Sequence, residues 1–168
     1  MIQIYLTRHG QTQSNVERLM QGWADTPLTA LGLEQGKLLG KKLRSIPFSK
    51  IYCSPSKRAQ MTASFINAYQ HTDIIATNGL KEMNFGDLEL KAEPEGSTWQ
   101  QLLLYDWTKI GGNNIDMVSK QMKQMMDRIV QHAQDNTNIL CVTHCFSILS
   151  LLLSLIHISE PTRRSYIS

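Results

Sequence analysis

Ile2-Gln3-Ile4-Tyr5-Leu6-Thr7, running directly into Arg8-His9-Gly10, sets the pattern that the rest of the chain repeats. The first six residues are β-rich, and Arg8-His9-Gly10 is a turn-like stop at their end. Lys50-Ile51-Tyr52-Cys53-Ser54 reads as a second short buried strand. Pro55 and Ser56 then open a helix through Ala59, Ala63, Ile66 and Tyr69. Ile74-Ile75-Ala76 is a third strand, and Ile139-Leu140-Cys141-Val142-Thr143 a fourth, with His144 at its carboxyl end. Between strands the period changes. From Thr29 to Arg44, with Pro27 ahead and Thr29 as the N-cap, Leu31, Leu38, Leu39 and Leu43 have mostly helical spacing. Ile115, Val118, Met122, Met125, Met126, Ile129, Val130 and Ala133 mark one face of a long helix, a methionine stripe that reads as core packing.

Alternating strands and helices imply an α/β sandwich with a largely parallel sheet. Such sheets gather their functional groups at the carboxyl ends of the strands. Arg8-His9 follows the first strand, Ser54 to Arg58 the second, and His144 the fourth, so three separated polar groups land on one edge.

Composition narrows the possibilities. The chain has 168 residues, 42% hydrophobic and 18% charged, which disfavours disorder, collagen-like repeats and a disulfide scaffold. A domain of that length buries roughly two-thirds of its unfolded surface and needs no metal or disulfide to hold a core. The formal charge is only +3 and the basic residues are scattered, so nucleic acid is not an expected partner. Cys53, Cys141 and Cys145 are odd in number and lack metal-site spacing, which suggests free thiols in a reducing cytoplasm. Nothing at the N-terminus reads as a signal peptide. The apolar run from Ile148 to Ile158 is broken by two serines and a histidine, so no membrane span is expected.

Each polar group has an ordinary reading when taken alone. Arg8 can be a solvated turn residue, Arg58 a helix surface charge, His144 a hydrogen-bonded core histidine and Glu82 a loop carboxylate. Together they supply what phosphoryl transfer requires. Arginine pairs bidentately with phosphate oxygens, and Arg58 stands one turn into a helix that follows a buried strand. A neutral histidine can attack phosphorus and carry the phosphoryl group covalently. A carboxylic acid can protonate the leaving oxygen and then take a proton from water. Positioning and charge stabilisation do most of the rest, and no metal or cofactor is demanded.

These residues resemble the histidine phosphatase superfamily, also called the phosphoglycerate mutase-like family. Arg8-His9-Gly10-Gln11-Thr12 with Asn15 matches its opening signature, and Gln21-Gly22-Trp23-x-Asp25-x-Pro27-Leu28-Thr29-x-x-Gly32-x-x-Gln35 the segment that follows. Ser54-Pro55-x-x-Arg58-Ala59-x-x-Thr62, Leu80-x-Glu82-x-x-Phe85-Gly86-x-x-Glu89 and Val142-Thr143-His144 complete it in order. The resemblance implies a three-layer α/β/α sandwich. It implies that His9 becomes phosphohistidine, that Arg8, Arg58 and His144 clamp the phosphoryl oxygens, and that Asn15 and Gln21 add hydrogen bonds. Glu82 would be the proton donor and then the base. The substrate would be a small phosphorylated metabolite. The short cover from Leu90 to Gly112 favours hydrolysis of a phosphomonoester over mutase transfer, and a phosphate-binding module without turnover is the remaining alternative. Trp99, Tyr105 and Trp107 in that cover can be a lid or simple packing.

The chain departs from the family in places. Cys145-Phe146 follows His144 where family members usually have glycine, so altered or reduced activity is expected, with the helix amides still free to face phosphate. Cys145 itself reads either as a reactive thiol at a helix start or as a small buried side chain, and the latter is favoured. Asn113 in Gly111-Gly112-Asn113-Asn114 replaces a glutamate and its charge. Leu153-Ser154-Leu155-Ile156-His157-Ile158-Ser159-Glu160-Pro161-Thr162-Arg163 resembles the translation of a transposon-end sequencing adapter. The expectation is therefore a phosphatase domain over 1–152 that lacks its native end, and a non-native tail over 153–168. On that ground His157 is excluded from the site.

Overall fold

β1 (Gln3–Arg8), β4 (Asn138–Thr143), β2 (Phe48–Cys53) and β3 (Ile74–Ala76) lie side by side in that order, and every neighbouring pair is parallel. They form the sheet of a computed structural model that describes residues 1–159, with side chains through residue 156. Each strand begins within two residues of its expected position. β4 is central, and all of Ile139–Thr143 is buried. Its side chains alternate between two apolar clusters, as the period of two demands. Ile139 and Cys141 join β1 residues Ile4 and Leu6 against Val118, Met122, Met125 and Ile129 of α5 (Ile115–His132) and Leu151 of α6 (Cys145–Ser159). Leu140 and Val142 instead meet Ala59, Ala63 and Ile66 of α3 (Lys57–Asn67), with Leu39 and Leu43 of α2 (Ala30–Leu43) at the margin. Helices thus cover both faces of a parallel sheet, the three-layer α/β/α architecture that the resemblance implies. Full burial of each valine, leucine, isoleucine or methionine among them contributes about 1.5–3 kcal/mol.

α2 departs from its sequence pattern. Leu31 and Leu38 are 54% and 52% exposed, although their spacing places them on a helical apolar face. The buried face is Gly32, Gly36 and Gly40. A Cβ on Gly36 would lie 2.8 Å from the Phe65 ring, and one on Gly40 2.6 Å from the Phe65 carbonyl oxygen. The glycine stripe therefore brings two backbones closer than leucines would permit. Tyr69, expected on the packed face of α3, lies beyond its end and is exposed. Val130 of α5 is likewise exposed, at the edge of the methionine stripe.

Short elements complete the chain on the functional side. α1 (Gln13–Glu17) is capped by Thr12, and 3-10 turns occupy Asn78–Leu80, Gly86–Leu88 and Trp107–Ile110. α4 (Trp99–Leu104) lies in the cover. Among the described residues no helix is long and apolar enough to cross a membrane. The expected foreign segment continues α6 from residue 153 to Ser159, and residues 160–168 lie outside the described residues.

Candidate active site

Parallel register decides which residues meet. Arg8 pairs with Thr143 and Cys53 with Val142, so His9, His144 and Ser54 are each the first residue past the end of adjacent strands. Backbone bonds extend the ladder into the turn, from His9 N to the Thr143 carbonyl (3.2 Å) and from Ser54 N to the Val142 carbonyl (2.9 Å). The two imidazoles meet edge to face, with centroids 5.1 Å apart. Both are buried.

Arg58 ties them together. Its Nε donates to His9 Nε2 and its Nη2 to His144 Nδ1, both at 3.2 Å. Nη2 also donates to the Gly22 carbonyl (2.7 Å), and Nη1 to the Ala24 carbonyl (2.8 Å) and to Asp25 Oδ1 (3.0 Å). Burial lowers the pKa of this guanidinium while the Asp25 carboxylate supports its charge. A guanidinium can only donate, so the acceptor nitrogens on both imidazoles are unprotonated. His9 agrees at its other end, where Nδ1 lies 2.7 Å from the Gly10 carbonyl and so carries the hydrogen. Burial, with Arg58 and Arg8 nearby, lowers the His9 pKa to about 3 and keeps its Nε2 lone pair available near neutrality. The same causes, with His9 itself, hold His144 neutral. Its hydrogen is then on Nε2, a buried donor with no partner. A buried unsatisfied donor costs about 1–3 kcal/mol. A phosphoryl oxygen would satisfy it.

Glu82 lies across the first turn of α6. Its Oε1 accepts from Met83 N (2.9 Å), Ser147 N (3.0 Å) and Ser147 Oγ (3.0 Å), and its Oε2 from Phe146 N (3.1 Å). The expectation that these helix amides face phosphate is therefore corrected: those of Phe146 and Ser147 hold the carboxylate. Burial raises the Glu82 pKa, against the opposing effect of these bonds. Oε2, with a single donor, has the capacity to carry the proton.

The remaining expected residues occupy different positions. Arg8 is exposed at the strand end, and its charge bears on both histidines. Asn15 Oδ1 accepts from Thr12 N (3.1 Å) in the cap of α1. Gln21 is held at both ends, accepting from Thr12 Oγ1 and donating to Thr26 Oγ1, each at 2.7 Å. Cys145 is half-buried with a raised pKa from burial, which fits a packing residue better than a reactive thiol. Asn113 works structurally: its Oδ1 accepts from Asn84 N (3.0 Å).

A model of the histidine phosphatase superfamily (branch 1) matches residues 4–167. The chain belongs to that superfamily. It is 33% identical over 162 residues to the adenosylcobalamin/alpha-ribazole phosphatase of Escherichia coli K12, covering 91% of this chain and 78% of that protein. It is also 33% identical over 153 residues to a probable phosphoglycerate mutase of Salmonella paratyphi A, covering 86% and 70%. Among solved structures, Entamoeba histolytica phosphoserine phosphatase in complex with 3-phosphoglyceric acid superposes with a TM-score of 0.77 at 30% identity, covering 94% and 81% of the two chains.

This histidine phosphatase has a cavity of about 400 Å³ whose lining includes His144, Glu82, Gly22, Trp23, Asn78, Lys81 and residues Ser54 to Lys57. Sequence reasoning misses Trp23, Lys81 and Lys57 in this lining, because a single aromatic or lysine carries no local signal. The cover aromatics are absent from its lining. Trp107 is buried, donates to the Leu102 carbonyl (3.0 Å) and meets Phe85 edge to face, so it packs. Trp99 and Tyr105 are exposed. Among the described residues no cluster of histidine, cysteine or carboxylate side chains is arranged to hold a metal.

Proposed function

We propose that this enzyme hydrolyses a small phosphomonoester through a phosphohistidine on His9 Nε2. The observation that carries the reading is the tautomer of His9, with Nδ1–H committed to Gly10 and a neutral Nε2 beside Arg58. In the first step Nε2 bonds to phosphorus as the phosphorus–oxygen bond of the ester breaks, and Glu82 gives its proton to the leaving oxygen. In the second, Glu82 takes a proton from water as that water attacks phosphorus, the nitrogen–phosphorus bond breaks, and inorganic phosphate departs. Arg8, Arg58 and the Nε2–H of His144 stabilise charge on the equatorial oxygens. Asn15, through its amide, adds a donor at the loop, and Gln21 fixes that loop through Thr12 and Thr26.

Water is the proposed acceptor because the cover from Leu90 to Gly112 contributes no residue to the cavity lining. The similarity to a probable mutase supports the alternative, transfer to a substrate hydroxyl. Three free thiols support placement in the reducing cytoplasm.

The test is acid-labile, base-stable phosphohistidine trapped by alkaline quench during turnover of a chromogenic phosphomonoester. Label on the parent chain and none on His9→Ala is expected. Turnover without label would overturn the covalent path. Phosphoglycerate isomerisation dependent on added bisphosphate would establish the mutase, and no turnover the binding module.

A further inference from the structure

Glu82 alternates between acid and carboxylate in the proposed cycle, and its buried surroundings have to accommodate both forms. An ionised carboxylate has about four acceptor sites. Four donors meet this one: the backbone N–H groups of Met83, Phe146 and Ser147, and the Ser147 hydroxyl. A proton on the carboxyl takes one site and leaves about three, so one donor then has to withdraw. The amides cannot. Those of Phe146 and Ser147 belong to the first turn of α6, and that of Met83 directly follows Glu82 in a buried stretch of backbone.

The hydroxyl can withdraw. Ser147 Oγ lies 3.0 Å from Glu82 Oε1 and 2.8 Å from the Lys81 carbonyl oxygen, and it has a single hydrogen to give. Rotation about the Cβ–Oγ bond carries that hydrogen from one acceptor to the other and displaces no heavy atom. The Lys81 carbonyl does not depend on it, since Gln121 Nε2 of α5 donates there at 3.1 Å. Ser147 is fully buried, so bulk water does not substitute for the hydroxyl.

We propose that Ser147 is a positioning residue for the proton donor: its hydroxyl bonds the Lys81 carbonyl while Glu82 is protonated and turns to Glu82 Oε1 once that proton has gone to the leaving oxygen. When Oε2 takes a proton from the attacking water, the hydroxyl turns back. No proton passes through Ser147, which keeps its own hydrogen throughout. This rests on the phosphatase reading above and adds to it the residue that lets one buried carboxyl serve as both acid and base. A hydrogen bond to an ionised acceptor is about twice as strong as a neutral one, so loss of the hydroxyl weakens the carboxylate form more than the acid. Arg58 from α3 and Cys145 from α6 bear electrostatically on Glu82, and His144, Asp25, Lys57 and Lys81 share its cavity lining. All of these charges remain when the hydroxyl is removed.

The pH dependence of kcat/KM for propyl phosphate tests the idea, because its alkaline limb reports loss of the Glu82 proton. Ser147→Ala moves that limb upward by about one pH unit, a tenfold change in acid dissociation. Ser147→Thr keeps a hydroxyl and brings the limb back towards the parent. A merely structural serine would instead lower kcat/KM equally at every pH. Gln121→Met takes the second donor from the Lys81 carbonyl, ties the hydroxyl to that oxygen and moves the limb upward by a smaller step. It carries the test by the same criterion if Ser147→Ala does not fold. A limb that stays in place in Ser147→Ala, or that moves as far in Ser147→Thr, overturns the proposal. The carbon-13 shift of the Glu82 carboxyl, titrated in the intact chain, reads the same change without turnover and separates it from Cys145. If the ester is not turned over, the phosphatase reading fails separately and the titration decides. A midpoint about one unit higher in Ser147→Ala upholds the role of the hydroxyl, and equal midpoints overturn it.

Discussion

Glu89 and Arg58 do not touch, yet one loop makes the orientation of the second depend on the first. The Glu89 carboxylate accepts from the backbone N–H groups of Gly22 (3.1 Å), Trp23 (2.9 Å) and Ala24 (2.9 Å), and from Phe85 N (2.9 Å). The carbonyls of Gly22 and Ala24 in the same loop accept from Arg58 Nη2 and Nη1. Loop amides thus point at one charge and loop carbonyls at its opposite.

Glu89→Ala releases the loop, so Arg58 loses its carbonyl hold and the clamp its geometry. A misplacement on the order of 1 Å costs about 10²-fold in rate. The expected result is a drop of about that size in kcat/KM, with weaker inhibition by inorganic phosphate. Glu89→Gln keeps one carbonyl acceptor and recovers part of the loss. Equal kinetics for parent and Glu89→Ala would show that the loop holds without it.

Glu82 is tested through the leaving group. General acid assistance matters most where the departing oxygen is strongly basic. Glu82→Ala should therefore lower turnover of an alkyl phosphate by about 10²–10⁴-fold. The loss for 4-nitrophenyl phosphate should be much smaller, because nitrophenolate departs without a proton. The raised pKa adds a second signature: kcat/KM for the alkyl ester declines on the alkaline side as the proton is lost. Equal losses for both esters would assign Glu82 to structure alone.

Much of this was legible in the chain because its signals are short. A β-rich run ending in Arg8-His9-Gly10 announces both a strand and what stands at its end, and parallel pairing then brings His9, His144 and Arg58 together. The packed face of α2 was not legible, because glycines carry no hydrophobic signal and Leu31 and Leu38 do. The sequence aims the amides at the start of α6 at phosphate, whereas Glu82 reaches them from 64 and 65 residues away. Glu89 was visible as a motif residue, but its function depends on a loop distant in sequence. Pairings of that kind have no periodicity to betray them.

The buried neutral histidines make stability depend on pH. His9 titrates near 6.5 unfolded and about 3 folded, so between those values the unfolded chain binds more protons. Its contribution is fully present above about pH 6.5 and is lost as pH falls towards 3, with a slope of about 1.4 kcal/mol per pH unit. His144 acts in the same direction. Glu82 opposes them: its raised pKa stabilises the fold at low pH, and that contribution is lost as pH rises through its folded value. Urea midpoints from pH 4 to 7 should rise with pH in the parent chain. His9→Asn, which keeps a donor for the Gly10 carbonyl, should show a shallower rise by about one proton. Parallel curves for the two would show that His9 is charged in the folded state.

Leu90 holds a backbone conformation that leucine disfavours. Its φ is +61°, its side chain is 42% exposed, and its amide donates to the Met20 carbonyl at 2.8 Å. A left-handed conformation costs a residue with a Cβ about 1–2 kcal/mol. Glycine avoids that cost but adds freedom to the unfolded chain, which returns about 0.4–1 kcal/mol. Leu90→Gly should therefore stabilise the fold by about 0.5–1 kcal/mol, a rise in Tm of roughly 1–4 °C for a domain of this size. Leu90→Val, β-branched and less tolerant of positive φ, should lower Tm instead. If Gly lowers Tm as Val does, the Leu90 side chain contributes more through packing than its backbone loses through strain.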